Sequence, residues 1–348
     1  MCGICGFVGP GDAAALAGMN AGLARRGPDG EGLYDDAAAG VWLAHRRLAI
    51  IDLAGGRQPM ATPDGGLVVT YNGEIYNHET LRRELTDRGH HFVTDHSDTE
   101  VLLHGWREWG EALPGRLNGM WAFALYDKAR GLLFCSRDRF GKKPFFYAAL
   151  PGFFAFSSEL ASLMAHPALA NRSVSRLALR KYFAYGFIPA PNALYDGTAK
   201  LPGGENLLVD VRALTVRRKR WWSFCLEPTG TIPANPERTW GGRLLELLDA
   251  AVTRRLMADV PLGVFLSGGV DSSAITALAA RHVPELATFS IGFDDPSFDE
   301  SAKARRTAAF CGVSHHEARL TLDAALALMP EIIGRLDEPM GDASLIPT

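Results

Sequence analysis

Apolar runs in the first two hundred residues predict short β-strands. Residues 120–127 (MWAFALYD) and 132–136 (LLFCS) are apolar runs on either side of the segment KARG. This arrangement predicts a β-hairpin with a longer loop. Residues 145–147 (FFY) and 153–156 (FFAF) flank a Pro-Gly pair in the same way, and they predict a second hairpin.

Another β-rich run, residues 68–71 (VVTY), precedes Asn72-Gly73, a dipeptide typical of turns, so we expect that strand to stop there. The pattern also predicts helices at residues 12–24, 79–87 and 99–109. Ser97 or Asp98 is the expected N-terminal cap of the last of these helices. Strands and helices in blocks favour an α+β fold of packed sheets with helices on their faces.

The last third of the chain has a different pattern. Residues 227–238 (EPTGTIPANPER) contain three prolines and few large apolar side chains, which is typical of a linker. Beyond it, leucines and a valine recur at helical spacing. Residues 260–266 and 286–291 then predict strands, the first of them buried, and residues 272–281 and 301–311 predict helices. Strands that alternate with helices favour a parallel, doubly wound α/β sheet.

Composition excludes several classes of protein. The 348 residues suffice for two domains, and the formal net charge of -3 offers no basic footprint for nucleic acid. No apolar run reaches the roughly 18 residues of a membrane-spanning helix, and no secretory signal pattern is present. The five cysteines are odd in number and scattered, which favours a reducing compartment over a disulfide framework. We therefore expect a cytoplasmic enzyme.

Cys2 is a candidate nucleophile. Removal of Met1 would place a thiol and a free α-amino group on one residue, and the amine has a reference pKa of about 7.7–8.0. Such an amine can act as the general base for its own nucleophile. Cys2 and Cys5 also form a C-x-x-C, but the second cysteine pair of a zinc ribbon and the preceding strand of a thioredoxin motif are both absent from the sequence.

Four motifs follow Cys2 in a fixed order: RGPD at residues 26–29, LAHRRLAIID around Arg47, NGEIYN at residues 72–77 and SDTE at residues 97–100. Together with the initial Cys-Gly-Ile, they resemble the landmarks of the class II glutamine amidotransferases, which are N-terminal-nucleophile glutaminases. The resemblance implies the fold of that class, with packed antiparallel sheets and helices.

The resemblance also implies a role for each residue. Cys2 would attack the side-chain carbonyl of glutamine and form a thioester, while Asn72 and Gly73 would form the oxyanion hole. The family's substrate-binding positions correspond to three further residues, which would hold the α-carboxylate or the α-ammonium of glutamine. These are Arg47, Glu74 and Asp98.

A second constellation, SGGVDSS, lies between a predicted strand and a predicted helix. Glycines and a helix N-terminus suit phosphate oxygens, but the lysine of a P-loop hydrolase is missing. The motif resembles the pyrophosphate loop of ATP pyrophosphatases, which implies ATP as substrate. An aspartate in such a loop is explained by Mg²⁺, so Asp271 is the metal candidate. The implied nucleotide-binding residues are Leu266, Ser267, Gly268, Gly269, Asp271, Ser272, Ser273 and Ile291.

Both constellations together resemble the glutamine-hydrolysing asparagine synthetases. The resemblance implies a glutaminase domain at residues 2–210, a terminal strand and linker at residues 211–238, and an incomplete synthetase domain at residues 239–348. The family's later SGEG-type segment is absent, so we expect this chain to hydrolyse glutamine without making asparagine unaided. Glutamine, aspartate and ATP are the expected small-molecule substrates, with no nucleic acid or membrane partner, and a homodimer is compatible with the family.

Of three alternatives, the first and the third remain open from the sequence, and the second is disfavoured. A relative of the same family could amidate a different acceptor in cell-surface polysaccharide or peptide biosynthesis. A β-lactam synthetase-like ligase shares the architecture but lacks a working nucleophile, whereas Cys2 is present here. The chain could also be a binding module for glutamine or nucleotide without turnover.

Overall fold

The computed structural model describes residues 1–228 and 230–346. Among these residues, a first unit comprises Met1–Cys225 with Asp337–Gly341, and a second unit comprises residues 226–336, apart from 229, with 342–346. Thr229, which belongs to the predicted linker, lies outside the described residues. Pro347 and Thr348, at the end of the predicted synthetase domain, also lie outside them.

Within residues 1–228, the first unit contains twelve strands in two antiparallel sheets. The strands are β1 Gly3–Val8, β2 Gly30–Asp36, β3 Val41–Arg47, β4 Met60–Ala61, β5 Leu67–Ile75, β6 Gly119–Asp127, β7 Leu132–Arg137, β8 Phe146–Leu150, β9 Phe153–Ser157, β10 Thr198–Lys200, β11 Glu205–Asp210 and β12 Thr215–Arg220. The first sheet has the order β10-β8-β9-β1-β3-β2, and the second has the order β12-β11-β7-β6-β5-β4. Both predicted hairpins are confirmed, as β6-β7 and β8-β9.

Six α-helices accompany these strands within residues 1–228. They are α1 Ala13–Gly22, α2 His78–Asp87, α3 Glu100–Trp109, α4 Leu113–Arg116, α5 Leu160–Met164 and α6 Arg176–Tyr185. Apolar residues of α2 and α3 pack on the second sheet, those of α1 and α5 pack on the first, and a third cluster fills the space between the sheets. The layers are therefore helix, sheet, sheet and helix, which confirms the predicted α+β fold.

Strand β6 shows why this packing follows from the sequence. Trp121 and Phe123 belong to the cluster under α3, whereas Ala122 and Ala124 belong to the cluster between the sheets. Successive side chains of a strand point to opposite faces, so a strand covered on both faces is apolar at nearly every position. This explains the unbroken apolar run read at residues 120–127.

One local prediction in the first unit is wrong, and another holds for only one of its two candidate residues. Asn72-Gly73 is not a turn, because β5 continues through both residues in register with β6. The pairing of this long strand with its neighbour outweighs the turn preference of the dipeptide. Helix α3 begins after Thr99, and the hydroxyl of Ser97 accepts a hydrogen bond from the N–H of Thr99 at 3.3 Å. The Asp98 carboxylate is engaged elsewhere, by Tyr71 and Ile75.

Asp337–Gly341 is a distant part of the chain that belongs to the first unit. The Asp337 carboxylate accepts hydrogen bonds from the main-chain N–H groups of Leu160 (2.7 Å) and Ala161 (2.9 Å), at the beginning of α5. The Glu338 carboxylate accepts one from the N–H of Leu194 at 2.9 Å and pairs with the ammonium of Lys200. Burial raises the pKa of both carboxyl groups.

The second unit is an α/β arrangement around a parallel sheet. Its elements are α7 Pro236–Arg254, β13 Gly263–Phe265, α8 Val270–Ala279, β14 Ala287–Phe293, α9 Ser301–Cys311, β15 Ser314–Leu320 and α10 Leu322–Arg335. The described strands have the order β13-β14-β15 and pair in parallel, which confirms the predicted parallel sheet.

Several details of the second unit differ from the prediction. Helix α7 begins within the predicted linker, at Pro236, because Asn235 caps it by accepting a hydrogen bond from the N–H of Arg238. The expected buried strand at residues 260–266 is shorter, and its Phe265 is 81% exposed. Among the described residues, no helix has both the length and the apolar character to cross a bilayer.

Candidate active site

The six residues expected to bind or cleave glutamine line one cavity of about 380 Å³ in the first unit. They come from separate parts of the sequence. Cys2 directly precedes β1, Arg47 ends β3, and Asp98 precedes α3, while three residues lie in β5. Those three are Asn72, Gly73 and Glu74.

Two hydrogen bonds between the sheets bring these strands together. The Thr70 hydroxyl in β5 donates to the carbonyl of Ala44 in β3 at 2.9 Å. Nε2 of His45 lies 3.1 Å from the carbonyl oxygen of Tyr71. His45 is fully buried, and burial lowers its pKa to about 4, so the imidazole is neutral at physiological pH and Nε2 donates to the carbonyl.

The thiol of Cys2 is half-buried at the cavity wall. Its Sγ accepts a hydrogen bond from the N–H of Leu48 at 3.3 Å. Burial raises the pKa of this thiol, and the nearby positive charges of Lys143 and Arg47 oppose that rise. The carbonyl of Cys2 accepts a hydrogen bond from Nε of Arg26 at 2.9 Å, which fixes the backbone of Cys2.

Asn72 and Gly73, the two residues expected to form the oxyanion hole, lie in β5 and line the cavity. Asn72 is 1% exposed, and among the described residues its Nδ2 has no hydrogen-bond partner. A buried amide donor without a partner is destabilising unless a ligand atom satisfies it. At Gly73 a Cβ would lie 2.2 Å from the carbonyl oxygen of Met120, so only glycine fits beside β6.

Asp98 is held by two donors at the same cavity. Its Oδ2 accepts hydrogen bonds from the hydroxyl of Tyr71 (2.9 Å) and the N–H of Ile75 (3.0 Å). Burial raises the pKa of the Asp98 carboxyl group, while both donors favour its ionised form. A carboxylate in this position can accept the ammonium of an amino acid.

Arg47 lines the cavity, but its guanidinium also donates to the loop that follows. Nη1 lies 2.8 Å from the carbonyl oxygen of Leu53, and Nη2 lies 2.6 Å from that of Asp52. These contacts fix the side chain at the cavity wall. Whether it also binds a substrate carboxylate stays a prediction.

The sequence-based prediction missed three residues of this site. Tyr71 was read only as the end of a strand, Arg26 only as part of a turn, and Lys143 was not considered. Lys143 is 7% exposed and lines the cavity. The connection RDRFGKKP contains several charged residues, which are common on exposed connections, so the sequence alone does not single out Lys143.

The predicted nucleotide loop of the second unit, residues 266–269, links β13 to α8. Gly268 has a φ of +82°, and a Cβ there would lie 2.9 Å from the carbonyl oxygen of Glu300. The hydroxyls of Ser267 and Ser272 face each other at 3.0 Å. The hydroxyl of Ser273 instead lies 3.3 Å from that of Thr307 in α9, on the other side of the loop.

The remaining predicted nucleotide residues are distributed around this loop. Leu266, Ser267 and Ile291 line a cavity of about 800 Å³, whereas Gly268 and Ser273 line a second cavity of about 670 Å³. Gly269 is the N-cap of α8 and has no side chain to cap it, so main-chain N–H groups at this end are open to a ligand. Asp271 is exposed in the first turn of α8.

Comparison with known proteins finds two family models in this chain. Residues 1–222 match the family model of the glutamine amidotransferase domain, and residues 243–348 match that of asparagine synthase. A putative asparagine synthetase 2 [glutamine-hydrolyzing] of Methanocaldococcus jannaschii is 34% identical over 100% of this chain and 70% of its own length. This chain belongs to the glutamine-hydrolysing asparagine synthetase family.

Other members of the asparagine synthetase family are similar over the same region. A putative asparagine synthetase [glutamine-hydrolyzing] of Mycobacterium bovis is 37% identical over 100% of this chain and 56% of its own length. Asparagine synthetase [glutamine-hydrolyzing] 1 of Bacillus subtilis is 35% identical over 99% of this chain and 54% of its own length. The chain thus spans about half the length of these curated relatives.

Proposed function

We propose that the first unit hydrolyses glutamine to glutamate and ammonia, with Cys2 as the nucleophile. In the enzyme as a whole, the ammonia would amidate the β-carboxylate of aspartate after its activation as an AMP ester, which gives asparagine. One observation carries the proposal. A half-buried thiol, an unpartnered amide donor and a buried carboxylate lie around one cavity that is large enough for an amino acid.

The reaction follows from these groups. The sulfur of Cys2 forms a bond to the side-chain carbonyl carbon of glutamine, and the carbonyl electron pair moves to the oxygen. Nδ2 of Asn72 and the N–H of Gly73 would donate to that oxyanion, a contribution of about 3 kcal/mol per donor. The carbon–nitrogen bond then breaks, and the nitrogen takes a proton and leaves as ammonia. Water cleaves the thioester, which gives glutamate and restores the thiol.

The base for this reaction is an α-amino group. Burial lowers the pKa of the amine of Met1, and the positive charges of Arg26 and Lys143 lower it further. With Met1 removed, the amine of Cys2 would start the chain and could take the thiol proton.

The second unit fits a polyphosphate substrate. The open N–H groups at the beginning of α8, the hydroxyls of Ser267 and Ser272 and the obligatory Gly268 suit the phosphates of ATP. The described residues contain no cluster of three or more metal-ligating side chains. A single carboxylate, that of Asp271, is enough to suit Mg²⁺, since this ion is often held by one or two carboxylates while the phosphates of the substrate supply further oxygens. When bound, the ion would neutralise phosphate charge.

The glutaminase is tested by glutamate release from glutamine, with removal of Met1 confirmed by mass. We expect Cys2→Ala to abolish release, because Cys2 is the one cysteine among the described residues that line the cavity. Cys225→Ala is the matched control, since Cys225 is an exposed cysteine, and it should leave release unchanged. Release that persists in Cys2→Ala would refute the assignment, and so would its absence from the folded wild-type chain.

A further inference from the structure

Lys143 is a buried ammonium in the glutamine cavity. The residue is 7% exposed and lines the cavity together with Cys2 and Glu74. Its Nζ lies 3.6 Å from Sδ of Met1, the residue next to the nucleophile. Lysine is seldom buried to this degree without a partner of opposite charge, so this position needs a reason.

The loop between β7 and β8 holds the backbone of Lys143 in place. Asp138 is 1% exposed, and its carboxylate accepts hydrogen bonds from the N–H groups of Phe140 (3.1 Å), Lys142 (3.0 Å) and Lys143 (3.1 Å). Nε of Arg137 donates to the carbonyl oxygen of Lys143 at 2.6 Å. A backbone fixed at both its N–H and its carbonyl directs the side chain into the cavity.

The charges around the site explain what the ammonium does there. Burial lowers the pKa of Lys143, and the negative charges of Glu74 and of the Cys2 thiolate oppose that effect. A positive charge beside a thiol favours the thiolate, and beside an amine it favours the neutral form. The other charged groups that act on the thiol, the adjoining amine or Lys143 are Arg26, Asp29, Arg47 and Asp138.

We propose that Lys143 is a positioning residue of the glutaminase, whose ammonium interacts with the Glu74 carboxylate and favours the anionic thiolate of Cys2. The inference rests on the proposed function in so far as Cys2 is the nucleophile. The effect acts through Cys2 and Glu74, which would touch the substrate, whereas Lys143 itself takes part in no bond change.

The test is the pH dependence of Cys2 alkylation by iodoacetamide, followed peptide by peptide with mass spectrometry. In Lys143→Met the midpoint should move upward by about one pH unit, as expected for the loss of one charge several ångströms away in a partly buried site. Lys143→Arg should restore most of the wild-type profile. Lys142, the exposed neighbour of Lys143, provides a matched control, and Lys142→Met should leave the pH profile of alkylation unchanged. Cys225 in the same sample is the internal reference.

Each outcome decides the proposal. An unchanged midpoint in folded Lys143→Met would overturn it, and so would an equal shift at Cys225. If circular dichroism shows that Lys143→Met does not fold, the same upward shift is required of the polar variant Lys143→Gln. Alkylation needs no turnover, so a wild-type chain that releases no glutamate would refute the proposed function and still leave the Lys143 result interpretable.

Discussion

The two candidate sites of this chain are built in different ways. In the first unit, the groups around the glutamine cavity are buried side chains, such as Asn72 and Asp98, and neighbouring strands fix them. In the second unit, most residues of the nucleotide loop are partly or fully exposed, and Leu266 is the buried exception at 1% exposure. The candidate site of the first unit is formed by buried polar side chains. The candidate site of the second unit is formed mainly by main-chain N–H groups and glycines.

This difference predicts how each site responds to mutation. Where a polar side chain is buried, its removal leaves a partner or a reacting atom unsatisfied, and the energetic effect is large. Where donors are main-chain groups near solvent, a single side chain contributes little. We therefore expect large effects in the first unit and small ones in the second.

The largest expected effect comes from Asn72→Ala. Loss of one donor to the oxyanion should lower kcat for glutamate release by about 10²–10³-fold with a smaller change in KM. Asn77→Ala is the control. Asn77 lies in the same motif, but its side chain hydrogen-bonds to Asn118 and Arg116, away from the cavity. A kcat for Asn72→Ala within a factor of three of wild type would show that the unpartnered amide has no catalytic use.

A second effect concerns acid stability and His45. Because the folded pKa is about 4 and the reference value is 6.5, the unfolded chain binds the proton first as pH falls. The neutral imidazole thus stabilises the fold fully above pH 6.5, and about 3 kcal/mol is lost between pH 6.5 and about 4. His45→Gln should flatten that part of the curve in urea titrations, whereas the exposed His91→Gln should not. Equal slopes in both variants would contradict the assignment.

Glycine substitutions compare the two units directly. Gly73→Ala should lower the free energy of unfolding by about 2 kcal/mol, because the new methyl group meets a carbonyl oxygen at 2.2 Å. Gly269→Ala should change it by less than about 0.5 kcal/mol, since φ is -73° and the nearest atom is Ser267 Oγ at 3.5 Å. Urea titration followed by circular dichroism measures both. Equal losses would show that the loop is packed as tightly as the sheet.

The smallest expected effect separates two adjacent serines. Ser272 faces Ser267 at the loop, whereas Ser273 faces Thr307. Ser272→Ala should weaken binding of inorganic pyrophosphate about fivefold, which corresponds to one hydrogen bond of about 1 kcal/mol. Ser273→Ala should leave affinity unchanged in the same calorimetric titration. The reverse order would show that the phosphates lie on the α9 side of the loop.

The sequence was informative wherever the signal was local. The hairpin at residues 120–136 and helix α9 follow from patterns contained within a few residues, and both were predicted. Asn72-Gly73 was misread because its turn preference is local, whereas its pairing with β6 involves residues almost fifty positions away. Strand β15 and helix α10 were not predicted, since β15 is mostly polar and exposed and α10 contains Pro330.

The same reasoning applies to the candidate site. Resemblance to a family identified residues with recognisable motifs, and the structure brings Cys2 and Asp98 to one cavity as expected. Supporting residues were missed because their role depends on contacts distant in sequence. Tyr71 reaches Asp98 across 27 positions, and Lys143 approaches Met1 across 142. No short pattern contains such a pair, so only a folded structure reveals it.

The return of residues 337–341 to the first unit has a practical consequence for gene design. A piece ending at residue 225 would leave the N–H groups of Leu160, Ala161 and Leu194 to bulk water and remove the carboxylate that pairs with Lys200. The first unit is discontinuous along the gene. Its excision therefore calls for a designed bridge from residue 225 to residue 337 rather than a stop codon.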